Sequence, residues 1–402
     1  MTPVFFCGFE IANSTEMIVP SVGSVVFGST PANAHGGGLY GTRYITISGT
    51  GATTNYITIL DLETDGSWKN LAYSPLFIEF ALRAVTLPTV GQSEQILAVR
   101  TAIVSGLQKL DLRINSHTGG HYHLDLYDRD GVLLASGTTE LATGTYYWVG
   151  LTYTNSSGPA VADGTYTLKI NGVTEFSGTN GKFRLANGAV LFMGNYTRRA
   201  TSAFSIVLDD VVLDSAGFNG ECYAAPMMPT GAGNYNQWVG TYADVDELPP
   251  DTADYIYEHR TGRKESYICA DLPGSPVGMV HSILAVKGYW QSLWETFTPG
   301  SDLLGYFIRS AAVDYQSADD WFADSGVGIW TPRQVLWRVN PGTSAAWSTA
   351  VVNALEVGIT IVGDYLNGEQ VDCCGMSLHA LFKEIPAAAV SVSDQGCYTL
   401  GG

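Results

Sequence analysis

Apolar and polar residues alternate with a period of two along most of this chain. In residues 76–83, Leu76, Ile78, Phe80 and Leu82 fall on one face and Phe77, Glu79, Ala81 and Arg83 on the other, the pattern of a half-buried antiparallel strand. Residues 109–114 repeat it, with Leu110, Leu112 and Ile114 inward. A strand over 121–127, a turn at Asp128-Arg129-Asp130-Gly131 and a return strand over 132–136 read as a hairpin, because Asp-Gly supplies the positive φ of a tight turn. Further strands are expected over 145–153, over 164–170 and, after an Asn171-Gly172 turn, over 173–177, then over 189–193 and 204–213. Short strands at this spacing, punctuated by glycine turns, mean a sandwich or a barrel.

From 218 to 245 the period disappears into Pro, Gly and Asn, as in a connection, although its Met and aromatic residues predict that it lies against a surface. A second strand series comes next, over 254–259, 265–270, 280–287, 303–310, 359–362 and 376–382. One stretch differs. Trp347, Val351 and Leu355 are spaced i, i+4, i+8 behind a candidate N-cap, Ser348, which predicts a short amphipathic helix ending at Gly358. The reading is all-β: two antiparallel β-sandwich (jelly-roll) domains in tandem, with one short helix in the second. The first spans 1–217, an ordered connection spans 218–245, and the second spans 246–402. No repeat of 20–50 residues and no heptad run is visible.

Composition narrows the function classes. Twenty Lys+Arg against 38 Asp+Glu give a net charge of −18 over 402 residues, which argues against a general nucleic-acid or anionic-membrane binder. Only 14% of residues are charged, against about 25% in an ordinary soluble domain. A surface so poor in charge suits protein–protein contact. No apolar run of about 18 residues exists to cross a bilayer, and the first residues carry no basic region followed by an apolar core, so no signal peptide is expected. The six cysteines, at 7, 222, 269, 373, 374 and 397, form no CxxC pair and are expected as free thiols. Cys373 and Cys374, adjacent on a strand, are expected to face opposite ways. The sequons at Asn13, Asn155 and Asn195 are then chance matches.

Three stretches carry a resemblance: Leu-Tyr-Asp-Arg-Asp-Gly-Val-Leu-Leu-Ala-Ser (126–136); Gly-Thr-Tyr-Tyr-Trp-Val-Gly-Leu-Thr-Tyr (144–153) with Asp-Gly-Thr-Tyr-Thr-Leu-Lys-Ile-Asn-Gly-Val (163–173); and Phe-Ser-Ile-Val-Leu-Asp-Asp-Val-Val-Leu-Asp (204–214). Together they resemble the concanavalin A-like, laminin-G-like jelly roll over about half the chain. The opening Phe-x-x-Gly-Phe-Glu, the Pro-Thr-Gly-Ala-Gly-Asn-Tyr-Asn-Gln-Trp-Val-Gly segment and Asn-Pro-Gly-Thr-Ser-Ala-Ala-Trp-Ser-Thr-Ala-Val-Val-Asn-Ala-Leu-Glu-Val-Gly (340–358) are similar to structural proteins of tailed-bacteriophage virions. Ser348 stands where that last signature usually has Thr. The resemblance implies a fold and a setting, and it carries no functional residues over.

Candidate chemistry is thin. Some jelly-roll relatives are β-glucanases, whose Glu-x-Asp-x-Glu run puts three carboxylates on one strand face. No such run exists here: Glu63-Thr-Asp65 lacks the second Glu, and Asp244-Val-Asp246-Glu247 has the wrong spacing. His121, His123 and Asp125 alternate on one strand, so they either begin a two-His-one-carboxylate metal site or form the polar outer face of a strand whose Tyr122, Leu124 and Leu126 point inward. Asp209-Asp210 reads as one Asp pinning a loop while the other faces water, with calcium as the alternative. Asp128–Gly131 is read as a turn rather than a calcium loop. Gly36–Gly38 does not open a helix and is no phosphate cradle. Tyr146, Tyr147, Trp148 and Tyr153 serve either a two-sheet core or sugar stacking. The expectation is therefore no catalytic, cofactor-binding or metal residues, and no cofactor. The chain is expected to be a non-enzymatic structural protein on the exterior of a tailed-phage virion, tail-associated or fibre-like, with capacity for glycan or host-surface adhesion. Its expected partners are other virion proteins, further copies of itself and a host-surface glycan, with no nucleic acid and no membrane insertion. It would be assembled in the host cytoplasm. Capsid decoration is the alternative within that class, and a secreted-type polysaccharide-degrading enzyme the alternative outside it.

Overall fold

The structure, a computed structural model, describes residues 3–7, 17–18, 24–28, 44–49, 55–59, 61–62, 68–69, 74–100, 108–158, 160–183, 190–195, 203–248, 250–294, 302–316, 330–363 and 370–387. In the first half the strands are β1 (Pro3–Cys7), β2 (Met17–Ile18), β3 (Ser24–Gly28), β4 (Tyr44–Gly49), β5 (Asn55–Ile59), β6 (Asp61–Leu62), β7 (Trp68–Lys69), β8 (Leu76–Thr86), β9 (Ser93–Arg100), β10 (Gln108–Ser116), β11 (Tyr122–Asp128), β12 (Leu133–Ser136), β13 (Tyr146–Tyr153), β14 (Gly164–Ile170), β15 (Val173–Gly181), β16 (Val190–Asn195) and β17 (Phe204–Asp214). The second half has β18 (Tyr223–Met227), β19 (Pro229–Asn236), β20 (Ile256–Glu258), β21 (Lys264–Cys269), β22 (Met279–Trp294), β23 (Asp302–Ser310), β24 (Val313–Gln316), β25 (Thr331–Trp337), one turn of helix α1 (Thr349–Val352), β26 (Glu356–Gly363) and β27 (Val371–Pro386).

The period-two pattern does what it predicts. Leu76, Ile78, Phe80 and Leu82 on β8 meet Val149, Leu151 and Tyr153 on β13 and Leu110, Leu112 and Ile114 on β10 in one fully buried core. That core lies between an eight-stranded sheet, ordered β15-β14-β13-β8-β17-β4-β3 with β1 on β17, and a seven-stranded sheet, β12-β11-β10-β9-β16-β5-β2. The Asn171-Gly172 turn takes φ of 50° and 80°, the conformation that matches strand twist in a two-residue hairpin. At the expected Asp128–Gly131 turn, Gly131 has φ 75° and Asp128 Oδ1 accepts from the N–H groups of Asp130 and Val132, at 2.9 and 3.0 Å.

A second sandwich stacks the sheet β18-β27-β22-β25, with β20 also on β27, against β19-β21-β26-β23-β24. Trp290, Tyr306, Tyr267, Ile359 and Leu378 fill its core. Its strand pairs, like those of the first sandwich, are antiparallel. Among the described residues the architecture is therefore all-β, made of sandwiches with one short α-helix.

Two expectations change. Residues 223–236, expected as part of an ordered connection with no strand period, form two strands of the second sandwich. Their sequence hides this because both are edge strands. Pro226 and Pro229 are tolerated at an edge, where a missing N–H leaves no ladder bond broken, and after Pro229 β19 alternates exposed and half-buried positions, the half-buried ones being Gly231, Gly233 and Tyr235 rather than a run of large aliphatic residues. The helix is also shorter than predicted. Ser348 does cap it, its hydroxyl accepting from Val351 N–H at 3.4 Å, but Leu355, Val357, Ile359 and Ile361 continue with period two into the core. Strand pairing with β21 and β23 takes the chain there, since a single helical turn gains too little to compete.

The two sandwiches meet along a seam. Ala81, Trp148 and Val212, on the outer face of the eight-stranded sheet, pack against Cys222, Ala224, Ala285 and Leu381. Glu79, on the same outer face and 2% exposed, accepts from Asn219 N–H at 2.6 Å, Gly220 N–H at 2.8 Å and Trp148 Nε1–H at 3.2 Å. Burial raises its pKa, while the N–H donors pull the other way. Phe218 lies on Gly150 so closely that a Cβ there would stand 3.0 Å from its ring.

Candidate functional site

The first sandwich has a second outer face, on the seven-stranded sheet, and its polar residues converge there. On β10, Leu110, Leu112 and Ile114 turn into the core, so Asp111, Arg113 and Asn115 turn out. Register places Gln95 of β9 opposite Arg113 and Ala98 opposite Asp111 on one side, and His123, Asp125 and Tyr127 of β11 opposite Asn115, Arg113 and Asp111 on the other. A bulge in β9 between Gln95 and Leu97 lets Gln95 face outward while Leu97 and Val99 keep to the core.

The side chains satisfy one another. Asp111 accepts from Gln95 Nε2, from Arg113 Nε at 2.6 Å and pairs with Arg113 Nη2 at 2.5 Å. The Arg113 guanidinium stacks over the Tyr127 ring, 3.7 Å from its centroid. Asp125 accepts from Asn115 Nδ2 at 2.7 Å and from His117 Nε2 at 3.2 Å. Asn115 also reaches the Tyr127 hydroxyl at 3.4 Å. His123 Nδ1 donates to the Thr139 carbonyl at 3.1 Å. Thr139 is itself fixed by Glu175 of β15, which accepts from its N–H at 2.8 Å and its hydroxyl at 2.6 Å. Gln95, Asp111, Arg113 and Asp125 are buried although they face away from the core, while His117, His123, Asn115 and Tyr127 are half-exposed. The face thus has a floor of hydrogen-bonded polar groups, two carboxylates to one guanidinium, and a rim of imidazole, amide and phenol groups, the kind of surface that hydrogen-bonds and stacks on a hydroxylated ligand. Asp111 is locked to a guanidinium and Asp125 holds two donors, so both carboxylates are engaged within the face.

No protein-family model matches the chain, and no curated protein matches it in sequence. Among solved structures it is similar to the endo-beta-1,4-glucuronan lyase of the fungus Trichoderma reesei, at 12% identity and TM-score 0.39, over 54% of this chain and 96% of that one. It is also similar to the cellulose induced protein Cip1, at 14% identity and TM-score 0.38, over 53% and 97%. A third is the Emp46p carbohydrate recognition domain, at 10% identity and TM-score 0.32, over 48% and 89%. Similarity at this level transfers no residue correspondence and no activity.

The sequence-derived candidates separate. His123 and Asp125 sit on the outer face as the second of the two readings has it, but His121 turns away to pair with Glu140 at 2.8 Å. Asp210 pins a loop, accepting from Ala224 N–H at 2.9 Å at the seam. Its neighbour Asp209, rather than facing water, is buried and accepts from Asp210 N–H. Asp210 takes φ 48° in the β-bulge of β17, which is why both carboxylates turn inward. Asp244 caps the short 3-10 turn at Tyr242–Asp244 through Thr241 N–H. The aromatic run divides: Tyr147 and Tyr153 join the first core, Trp148 joins the seam, and Arg83 stacks over Tyr146 at 4.8 Å. Cys222, Cys269, Cys373 and Cys374 are free and buried, and burial pushes the Cys269 and Cys373 thiols up to about 12. Glu63, Asp65, Gly36–Gly38 and the Asn13 sequon lie outside the described residues. Sequence reasoning missed Gln95, Asp111, Arg113, Asn115, His117 and Tyr127 as one cluster. The available signal was the alternation of Asp111, Arg113 and Asn115 with a strictly apolar inward face, next to a second such set on the neighbouring strand.

Proposed function

We propose that this chain is a non-enzymatic structural protein on the exterior of a tailed-phage virion, tail-associated and adhesive, and that the outer face of its seven-stranded sheet takes a glycan of the host surface. The observation that carries the adhesive part is the polar face itself. One outer face of the first sandwich is closed by the second sandwich, and the opposite one presents Tyr127, Asn115, His117 and His123 over a buried, hydrogen-bonded floor. The virion setting rests on the resemblance of the opening Phe-x-x-Gly-Phe-Glu and of the 229–240 and 340–358 stretches to virion structural proteins, and the low charge content supports a part built for protein–protein contact.

Glycan arrays probed with the assembled protein test the adhesive reading. Tyr127→Ala is expected to weaken binding about two- to tenfold, since one stacked ring contributes about 0.5–1.5 kcal/mol. An array with no bound glycan removes the reading. Release of reducing ends from a polysaccharide by the wild type would overturn the non-enzymatic part. Mass spectrometry of purified particles that fails to find the chain would sink the virion assignment, and a copy number in step with the capsid lattice would move it from tail to head.

A further inference from the structure

The fold brings a second histidine to His123, and it is not the one the strand alternation suggests. Past β10 the chain turns back, with His117 N–H donating to the His121 carbonyl at 2.7 Å. This sets the His117 ring 4.9 Å from that of His123, centroid to centroid, with the planes at 89°. Each ring has one nitrogen already committed as a donor. The Thr139 carbonyl can only accept, so His123 Nδ1 carries the proton in their 3.1 Å bond. Asp125 takes the Asn115 amide on Oδ2 and His117 on Oδ1 as acceptor, so His117 Nε2 carries the proton in their 3.2 Å contact. In the neutral rings the lone pairs are left on His123 Nε2 and His117 Nδ1.

A backbone carbonyl behind one imidazole and a buried carboxylate behind the other are the partners that orient metal-binding histidines and raise their basicity. The ring spacing agrees. Two imidazoles held about 2.0–2.1 Å from one ion at angles between octahedral and tetrahedral have centroids about 4.5–5.2 Å apart. Both side chains are reachable: that of His117 is 33% exposed and His123 is half-buried. We propose that His117 and His123 form a two-imidazole site for a divalent transition-metal ion of the imidazole-preferring kind, Zn2+, Ni2+ or Cu2+. Asp125 and Thr139 act as its orienting partners. Among the described residues no three ligating side chains come together, so water completes the coordination and the ion exchanges freely. Metal binding by this pair depends on neither the virion setting nor the glycan.

The test is calorimetric titration of the full chain with Zn2+ and with Ni2+. One ion per chain is expected, with affinity falling about tenfold or more in His117→Gln and in His123→Gln and holding in His121→Gln. Asp125→Asn, which keeps both imidazoles, is expected to weaken binding about tenfold. Histidine ring 15N shifts in the unaltered protein give a readout that no variant's folding can confuse: the two rings are expected to shift together on adding Zn2+. Absence of any shift at millimolar Zn2+, or affinity unchanged in both His117→Gln and His123→Gln, overturns the site and leaves an edge-to-face ring contact.

Discussion

Glu94 stands on β9 directly opposite Ile114, on the side that turns into the first core, and is 1% exposed. Nothing in the alternation of Ser93-Glu94-Gln95 announces this, because the bulge just after Gln95 shifts which residues face inward. Burial pushes its carboxyl from 4.5 up to about 7. The folded chain therefore holds this proton more tightly than the unfolded chain. The associated stability is full below pH 4.5 and is lost as pH rises through 7, by on the order of 3 kcal/mol. Urea unfolding at pH 5 and pH 8 should show Glu94→Gln flattening that loss relative to the unaltered protein. An identical pH dependence in the two would contradict the burial argument. Tyr147 and Trp148 make the same point about side. Adjacent residues must face opposite ways, which a sequence shows, but only the placement of the second sandwich makes both of those faces buried.

Turns and strand ends follow local chemistry closely. Gly172 needs φ 80°, and a Cβ added there would meet nothing within 4 Å, so Gly172→Ala should cost about 1 kcal/mol through backbone conformation alone; an unchanged denaturation midpoint would contradict it. The helix is a case where local pattern loses. Ser348 and the i, i+4, i+8 spacing are present, yet the chain turns extended at Leu355 and runs into β26, because Val357, Ile359 and Ile361 gain a core that a longer helix would have to leave. Glu79 shows an element held by its neighbours rather than by its own pattern. It ties the 219–220 backbone to β8 and to Trp148. Glu79→Ala leaves those buried N–H groups without an acceptor, at a cost of about 3 kcal/mol, and should speed proteolytic cleavage in 217–222. Cleavage at the original rate would show that the loop is held by something else.

At the scale of the molecule, the seam decides whether the two sandwiches unfold together. Trp148 is 4% exposed between them, and truncating a buried Trp costs about 3–5 kcal/mol. Trp148→Ala should therefore lower stability by that amount and split one calorimetric transition into two. A single transition at the original temperature would mean that the seam does not couple the halves. With one outer face of the first sandwich used for the second, the proposed glycan falls to the polar outer face of the seven-stranded sheet.

The sequence by itself determined the strand-rich class, the positions of the hairpin turns and the inward residues of β8, β10 and β11, because period two and glycine-bearing turns are local properties. It could not determine which strands are neighbours. Gln95, Arg113 and Asp125 are drawn together from three strands, and His117 is set beside His123, only by register across β9, β10 and β11. Edge strands built from Pro, Gly and Asn carry no apolar period to read, and a β-bulge reverses facing without any change in composition. Alternation says which residues share a face, and only long-range pairing says what that face meets.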